Sequence, residues 1–172
     1  MNSLERVAAT IAFGRADRVP VIPQVFGHAA VLAGVPLVDY LHDGALLARC
    51  QIAAQRHYGH DAVFAFADTG LEAEALGAVF EFPERQYPQL ARPALAPGDA
   101  IVGLRVPDPE RTGRMPELVR AAQLMRNELD GEVPVIAVVL GPMSLAGQLL
   151  GTVRIQKCAR QGSMSREQFD KI

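Results

Sequence analysis

Cysteine is scarce in this 172-residue chain, which holds only two. Cys50 and Cys158 lie far apart, in no CxxC and in no repeated spacing. Disulfide frameworks and zinc clusters need more thiols at closer spacing, so both read as reduced thiols of a reducing compartment. Long apolar runs are also missing. The longest, Val133–Leu140, falls far short of the ~20 residues that span a bilayer. The opening MNSLERVAAT carries acid and base where a secretory signal needs an apolar core. A cytoplasmic protein with no membrane association is expected. No basic stripe exists and the net charge is −2, which argues against binding through nucleic-acid phosphates. GxSxG, HExxH, GxGxxG and the P-loop are all absent, and with them the local signatures of several hydrolases and nucleotide enzymes. What remains is ordinary globular composition, 49% hydrophobic and 21% charged, with length enough for one well-buried core.

The chain alternates helices with strands. Asn2 and Glu5 have capping-box spacing, and Leu4, Val7, Ala8 and Ile11 repeat as one helical face before Gly14. Val19–Phe26 is β-rich, but Pro20 and Pro23 remove ladder donors, which predicts an irregular or late strand. His28–Gly34 and Pro36–Leu41 read as short helical pieces. Asp43 can cap a longer helix through Tyr58, stopped by Gly59. Asp61–Phe66 is a short buried strand, followed by a helical turn over Leu71–Leu76. Ala78–Phe82 alternates weakly. Four prolines then make residues 83–114 an excursion with at most one further strand, near Ile101–Leu104. Pro116 suits the first turn of a helix to Leu129. Val133–Leu140 is an almost unbroken β-branched run, which predicts a strand buried on both faces. Gly141–Pro142 ends it, and Ser144 can cap a helix from Leu145. This order predicts a parallel sheet of βα units with roughly three parallel strands, where a complete barrel needs eight.

In parallel α/β folds, chemistry collects at the carboxyl ends of the strands. The three ends offer Gln24, Phe26 and His28; Asp68 and Thr69; and Gly141, Pro142, Met143 and Ser144. If the sheet forms as read, these segments face one crevice. Asp68 follows its strand directly, and its carboxylate can accept hydrogen bonds from NH groups or stabilise a developing cation. It can equally cap the turn before Leu71. Glu72, one turn on, either shares that site or is solvated. His28 reads as a base, a ligand or a helix-start residue. His57 and His60 suit a helix end, and His42 the surface. The Gly141–Ser144 turn resembles a place where backbone NH groups approach a ligand. No metal site is expected within the chain, because neither cysteine has a metal-ligand neighbour.

Three segments together resemble one family. ERVAATIAFGRADRVPVIP is similar to the opening of the uroporphyrinogen decarboxylase superfamily. DAVFAFADTGLEAEALGAVFEFPE resembles its second-strand signature, an Asp soon after the strand and then EALG. GPMSLAGQLLG resembles the loop after its next core strand. The resemblance covers nearly all of residues 4–151, in the right order. It implies a TIM (β/α)8 barrel, of which this chain holds the first few βα units, with residues 152–172 an atypical tail similar to a later barrel segment. It implies tetrapyrrole decarboxylation, or methyl transfer between a corrinoid protein and a thiol with zinc as cofactor. Asp68 matches the Asp that in the decarboxylase binds substrate pyrrole nitrogens. The decarboxylase's arginine-rich segment has no counterpart, because QVFGHAAVLAG holds no arginine to clamp carboxylates. The chain therefore resembles the methyltransferase branch more. That branch places its zinc ligands in the second half of the barrel. Expected partners are a tetrapyrrole or a corrinoid protein, with self-association or association of barrel fragments. A non-catalytic remnant that binds a tetrapyrrole or a partner is the third expectation.

Overall fold

The computed structural model describes residues 1–95, 104–151, 153 and 155. It divides into two compact units: Met1–Ala67 with Pro116–Val138, and Asp68–Met115 with Val139–Ile172.

The first unit opens with α1 (Ser3–Ile11), whose Asn2 and Glu5 form the reciprocal capping box. No strand follows. Val19–Val25 has no regular structure and joins no ladder, because Pro20 and Pro23 lack donors and the Val21 amide is taken by the Asp61 carboxylate at 2.7 Å. The segment's main-chain bonds are isolated: the Val21 carbonyl accepts from the Asp61 amide at 2.8 Å, the Val25 amide bonds the Pro23 carbonyl at 2.9 Å, and the His28 amide bonds the Val25 carbonyl at 2.9 Å. Short helices α2 (His28–Leu32) and α3 (Leu37–His42) lead to α4 (Gly44–Tyr58). Asp43 caps α4 by accepting from the Ala45 and Leu46 amides, and Gly59 ends it with φ of 67°, a conformation that suits glycine. Leu47, Cys50, Gln51 and Ala54 are all buried. Their helical spacing puts them on one face.

Strand β1 (Val63–Ala65) is fully buried. Strand β4 (Val135–Ala137) pairs with it in parallel, Val63 opposite Val135 and Ala65 opposite Ala137. The crossover between them contains α6 (Met115–Glu128). Two parallel strands are present among the described residues, not three. The expectation of burial on both faces for Val133–Leu140 is also corrected, since Val135 and Ile136 are half-buried and Ala137 is exposed. β4 is hydrogen-bonded to β1 alone among the described residues. A β-branched run thus forms a strand without being enclosed.

The second unit holds α5 (Leu71–Ala75), an antiparallel hairpin of β2 (Val79–Glu81) and β3 (Gln89–Arg92), and α7 (Pro142–Leu150). β3 lies where the prolines predicted irregular chain. Pro88 and Pro93 bracket it instead of interrupting it, so no ladder donor is lost. The strand expected near Ile101–Leu104 falls mostly outside the described residues, and so does the tail beyond 155. α7 begins at Pro142 with Gly141 as its cap, three residues earlier than expected. Proline's fixed φ suits that first helical position. Ala73, Ala78 and Leu149 form a small core against which Leu76, Phe80 and Leu145 pack. No helix among the described residues is long and apolar enough to cross a membrane.

Candidate functional site

The second unit carries the arrangement with the most chemistry. Asp68 leaves the chain three residues after β1 and is only 3% exposed, so it does not stand open at the strand's mouth. Its Oδ1 accepts from the Gly70 amide at 2.8 Å, which is the turn-capping role. Its Oδ2 accepts from Arg114 Nη1 at 2.7 Å. Oδ1 thus serves the turn, and Oδ2 is held in an ion pair within the chain. Arg114 also donates to Glu74 through Nε at 2.9 Å and Nη2 at 2.5 Å. Its guanidinium lies over the Phe82 ring, 4.8 Å from the centroid. Burial works to lower the Arg114 pKa, but the bonds to Glu74 and Asp68 outweigh it and raise the value. The guanidinium stays charged.

Neighbouring groups are tied down as well. Glu72 is half-buried and accepts from the Leu140 amide at 3.0 Å, so it is not simply solvated. Gly70 sits where an added Cβ would come within 2.6 Å of the Phe80 ring. Thr69 is exposed, as are Gly141, Pro142, Met143 and Ser144. The Ser144 and Leu145 amides both bond the Gly141 carbonyl at 3.0 Å. These two amides are engaged within the first turn of α7.

Gln24, Phe26 and His28 belong to the first unit. Gln24 is exposed. Phe26 has φ of 39°, a strained value for a non-glycine residue. The buried Gln51 bonds its carbonyl at 3.0 Å. Its ring packs on Phe64 and Phe66, with centroids 5.2 and 4.5 Å away. His28 is exposed at the start of α2 and pairs with the Tyr58 hydroxyl at 2.9 Å. His42 is exposed and bonds the Val38 carbonyl at 2.8 Å. Cys50 is buried and unbridged.

Two clusters escaped the sequence reading. One is Arg114 with Glu74. The other, in the first unit, centres on the fully buried Asp61. Its carboxylate accepts from Ser3 Oγ at 2.9 Å, Arg6 Nη1 at 2.6 Å and Arg18 Nη1 and Nη2 at 2.6 and 2.9 Å. The Val21 amide completes the set. Burial would raise the Asp61 pKa, but bonds from Arg18, Val21, Ser3 and Arg6 hold it well below the usual carboxylate range. This cluster sits at the amino end of β1, the side of a parallel sheet that serves stability.

Known proteins place the chain. Methylated-thiol–coenzyme M methyltransferase of Methanosarcina mazei is 26% identical over 155 residues, covering 88% of this chain and 41% of that protein. Uroporphyrinogen decarboxylase of Shewanella denitrificans is 36% identical over 99 residues, covering 56% of this chain and 27% of the relative. That of Xylella fastidiosa is 32% identical over 118 residues, covering 67% and 32%. A solved methyltransferase from Methanosarcina mazei superposes with a TM-score of 0.85 at 19% identity, over 99% of this chain and 52% of its own. The chain thus spans about half or less of the length of these proteins. The uroporphyrinogen decarboxylase (URO-D) family profile matches residues 2–169, nearly the whole sequence, and the chain belongs to that family.

Proposed function

We propose that this chain forms the amino-terminal part of a (β/α)8-barrel protein that moves a methyl group between a corrinoid and a thiol. The carrying observation is the ion-paired Asp68 beside an arginine that is already engaged. Arg114 bonds Asp68 and Glu74, so it offers no clamp for a polycarboxylate substrate. QVFGHAAVLAG, residues 24–34, supplies no arginine either. A corrinoid presents carboxamide N–H groups at its rim. Each Asp68 oxygen keeps acceptor capacity beyond the bond it makes, because an ionised carboxylate has about four lone-pair sites. Asp68 would hold the rim of the ligand, and Thr69 with the exposed turn Gly141–Ser144 would lie against it. The similarity to the methylated-thiol–coenzyme M methyltransferase over 88% of this chain supports the same reading.

The corrinoid is a substrate in this account. Zinc would lower the thiol pKa in the complete enzyme, but it does not fit the donors described. Among the described residues no group of three or more His, Cys, Asp or Glu could hold a metal, and Cys50 lies in the core. The chain's own contribution is binding and orientation.

Titration of the protein with methylcobalamin and, separately, with uroporphyrinogen tests the reading. Saturable methylcobalamin binding that uroporphyrinogen does not displace is expected. Uroporphyrinogen binding with loss of carbon dioxide would replace this reading with the decarboxylase one, in which Asp68 accepts pyrrole N–H bonds. Corrinoid binding by the complete protein without any methyl transfer to a thiol would leave a binding remnant.

A further inference from the structure

We propose that Arg114 is the positioning residue of Asp68: it does not meet the ligand but fixes the carboxylate that does. The inference rests on the reading of Asp68 given above. Asp68 stands on a loop, and its own turn supplies one tie, the Gly70 amide on Oδ1. A carboxylate held by one oxygen can still turn about its side-chain bonds. The second tie comes from 46 residues away, through Arg114 on Oδ2, and two ties on two oxygens fix the carboxylate plane.

Arg114 can do this because it is itself immobilised. Glu74 takes its Nε and Nη2 from the other side, and the Phe82 ring lies beneath the guanidinium. The turn before it is built to deliver it. Asp108 accepts the Glu110 amide at 2.9 Å. Gly113 has φ of 55°, and an added Cβ there would lie 3.7 Å from the Ala75 Cα, so the backbone arrives close against α5. The planar guanidinium bonds two carboxylates along two edges, which a lysine point charge cannot reproduce. Stability alone is a weak reason for such a cluster. Buried ion pairs of this kind stabilise little beyond an apolar replacement of the same shape. Among the described residues one guanidinium faces two carboxylates, whose remaining acceptor sites favour a ligand offering N–H groups.

The test is a mutant cycle on methylcobalamin affinity, with far-ultraviolet circular dichroism to confirm folding. Arg114→Gln is expected to weaken binding roughly 10- to 100-fold, the scale of a misplaced contact, and Arg114→Lys should not restore it. Because Arg114 acts through Asp68, adding Arg114→Gln to Asp68→Asn should cause no further loss. Should Arg114→Gln fail to fold, Glu74→Gln loosens the arginine's other side and is expected to weaken binding several-fold, again only when Asp68 is present. Losses that multiply in the double variant would overturn the inference, as would normal binding by Arg114→Gln while Asp68→Asn is impaired. Normal binding by Asp68→Asn would overturn the reading of Asp68, and this inference with it.

Discussion

Replacing Asp61 with alanine removes the acceptor that joins α1, the 15–21 segment and the start of β1. Five hydrogen bonds end on that carboxylate, three of them from Arg6 and Arg18 at 2.6 to 2.9 Å. Asp61 is fully buried and the Arg6 side chain is 9% exposed, whereas Arg18 is 47% exposed. Breaking a buried pair by deleting one partner costs about 3–5 kcal/mol, because the other charge stays buried without compensation. Arg6 keeps Asp17 at 2.7 and 2.8 Å, which places the expected loss at the lower end, about 3 kcal/mol. At a urea slope of about 2 kcal/mol per molar, the unfolding midpoint falls by roughly 1.5 M with the slope unchanged. Arg18→Ala, from the exposed side, should cost about 1 kcal/mol or less. The pH arm has a defined sign. Asp61 is held below its usual range, so its stabilisation is complete above pH ~4 and is lost as pH falls through the lower folded value. Wild-type stability should decline below pH 4, and Asp61→Ala should flatten that decline. A midpoint shift under about 0.5 M at unchanged slope, or an acid profile identical to the wild type's, would refute the reasoning.

Other expectations follow from single contacts. Gly44 begins α4 where an added Cβ would lie 2.1 Å from the Glu117 carbonyl oxygen, so Gly44→Ala should destabilise by about 1–3 kcal/mol through backbone displacement, read by thermal melting. His60 is buried with its Nδ1 unpartnered; burial lowers its pKa, and the Asp61 charge only partly offsets this. The unfolded chain therefore binds the proton more readily, so stability should fall as pH drops through ~6.5. His60→Gln should remove that slope in urea titrations between about pH 7 and 5.5.

Local devices were legible in the sequence because each is written in neighbouring residues. The Asn2–Glu5 box, the Asp43 cap and the Gly59 stop all appear as read. The β1 strand and the turn through Asp68 were likewise visible, since an apolar run ending at a polar loop marks a strand's exit. Long-range pairings were not. Arg114 meets Asp68 across 46 residues, and Asp61 meets Arg6 across 55. Nothing in Arg111–Pro116 announces a buried guanidinium, and Asp61 reads from its neighbours as a strand's first residue. The β3 strand was hidden for a different reason. Pro88 and Pro93 look like breakers until pairing shows that they lie just outside the ladder. The half-exposed β4 shows the converse, because β-branched composition indicates a strand's pairing tendency but not what covers its faces.

The crystal structure of the protein with methylcobalamin bound would test the account most directly. It predicts a carboxamide nitrogen of the corrin rim within hydrogen-bond distance of an Asp68 oxygen, with Arg114 still on Oδ2. A corrinoid seated elsewhere, with Asp68 sealed behind Arg114 and untouched by ligand, would contradict it.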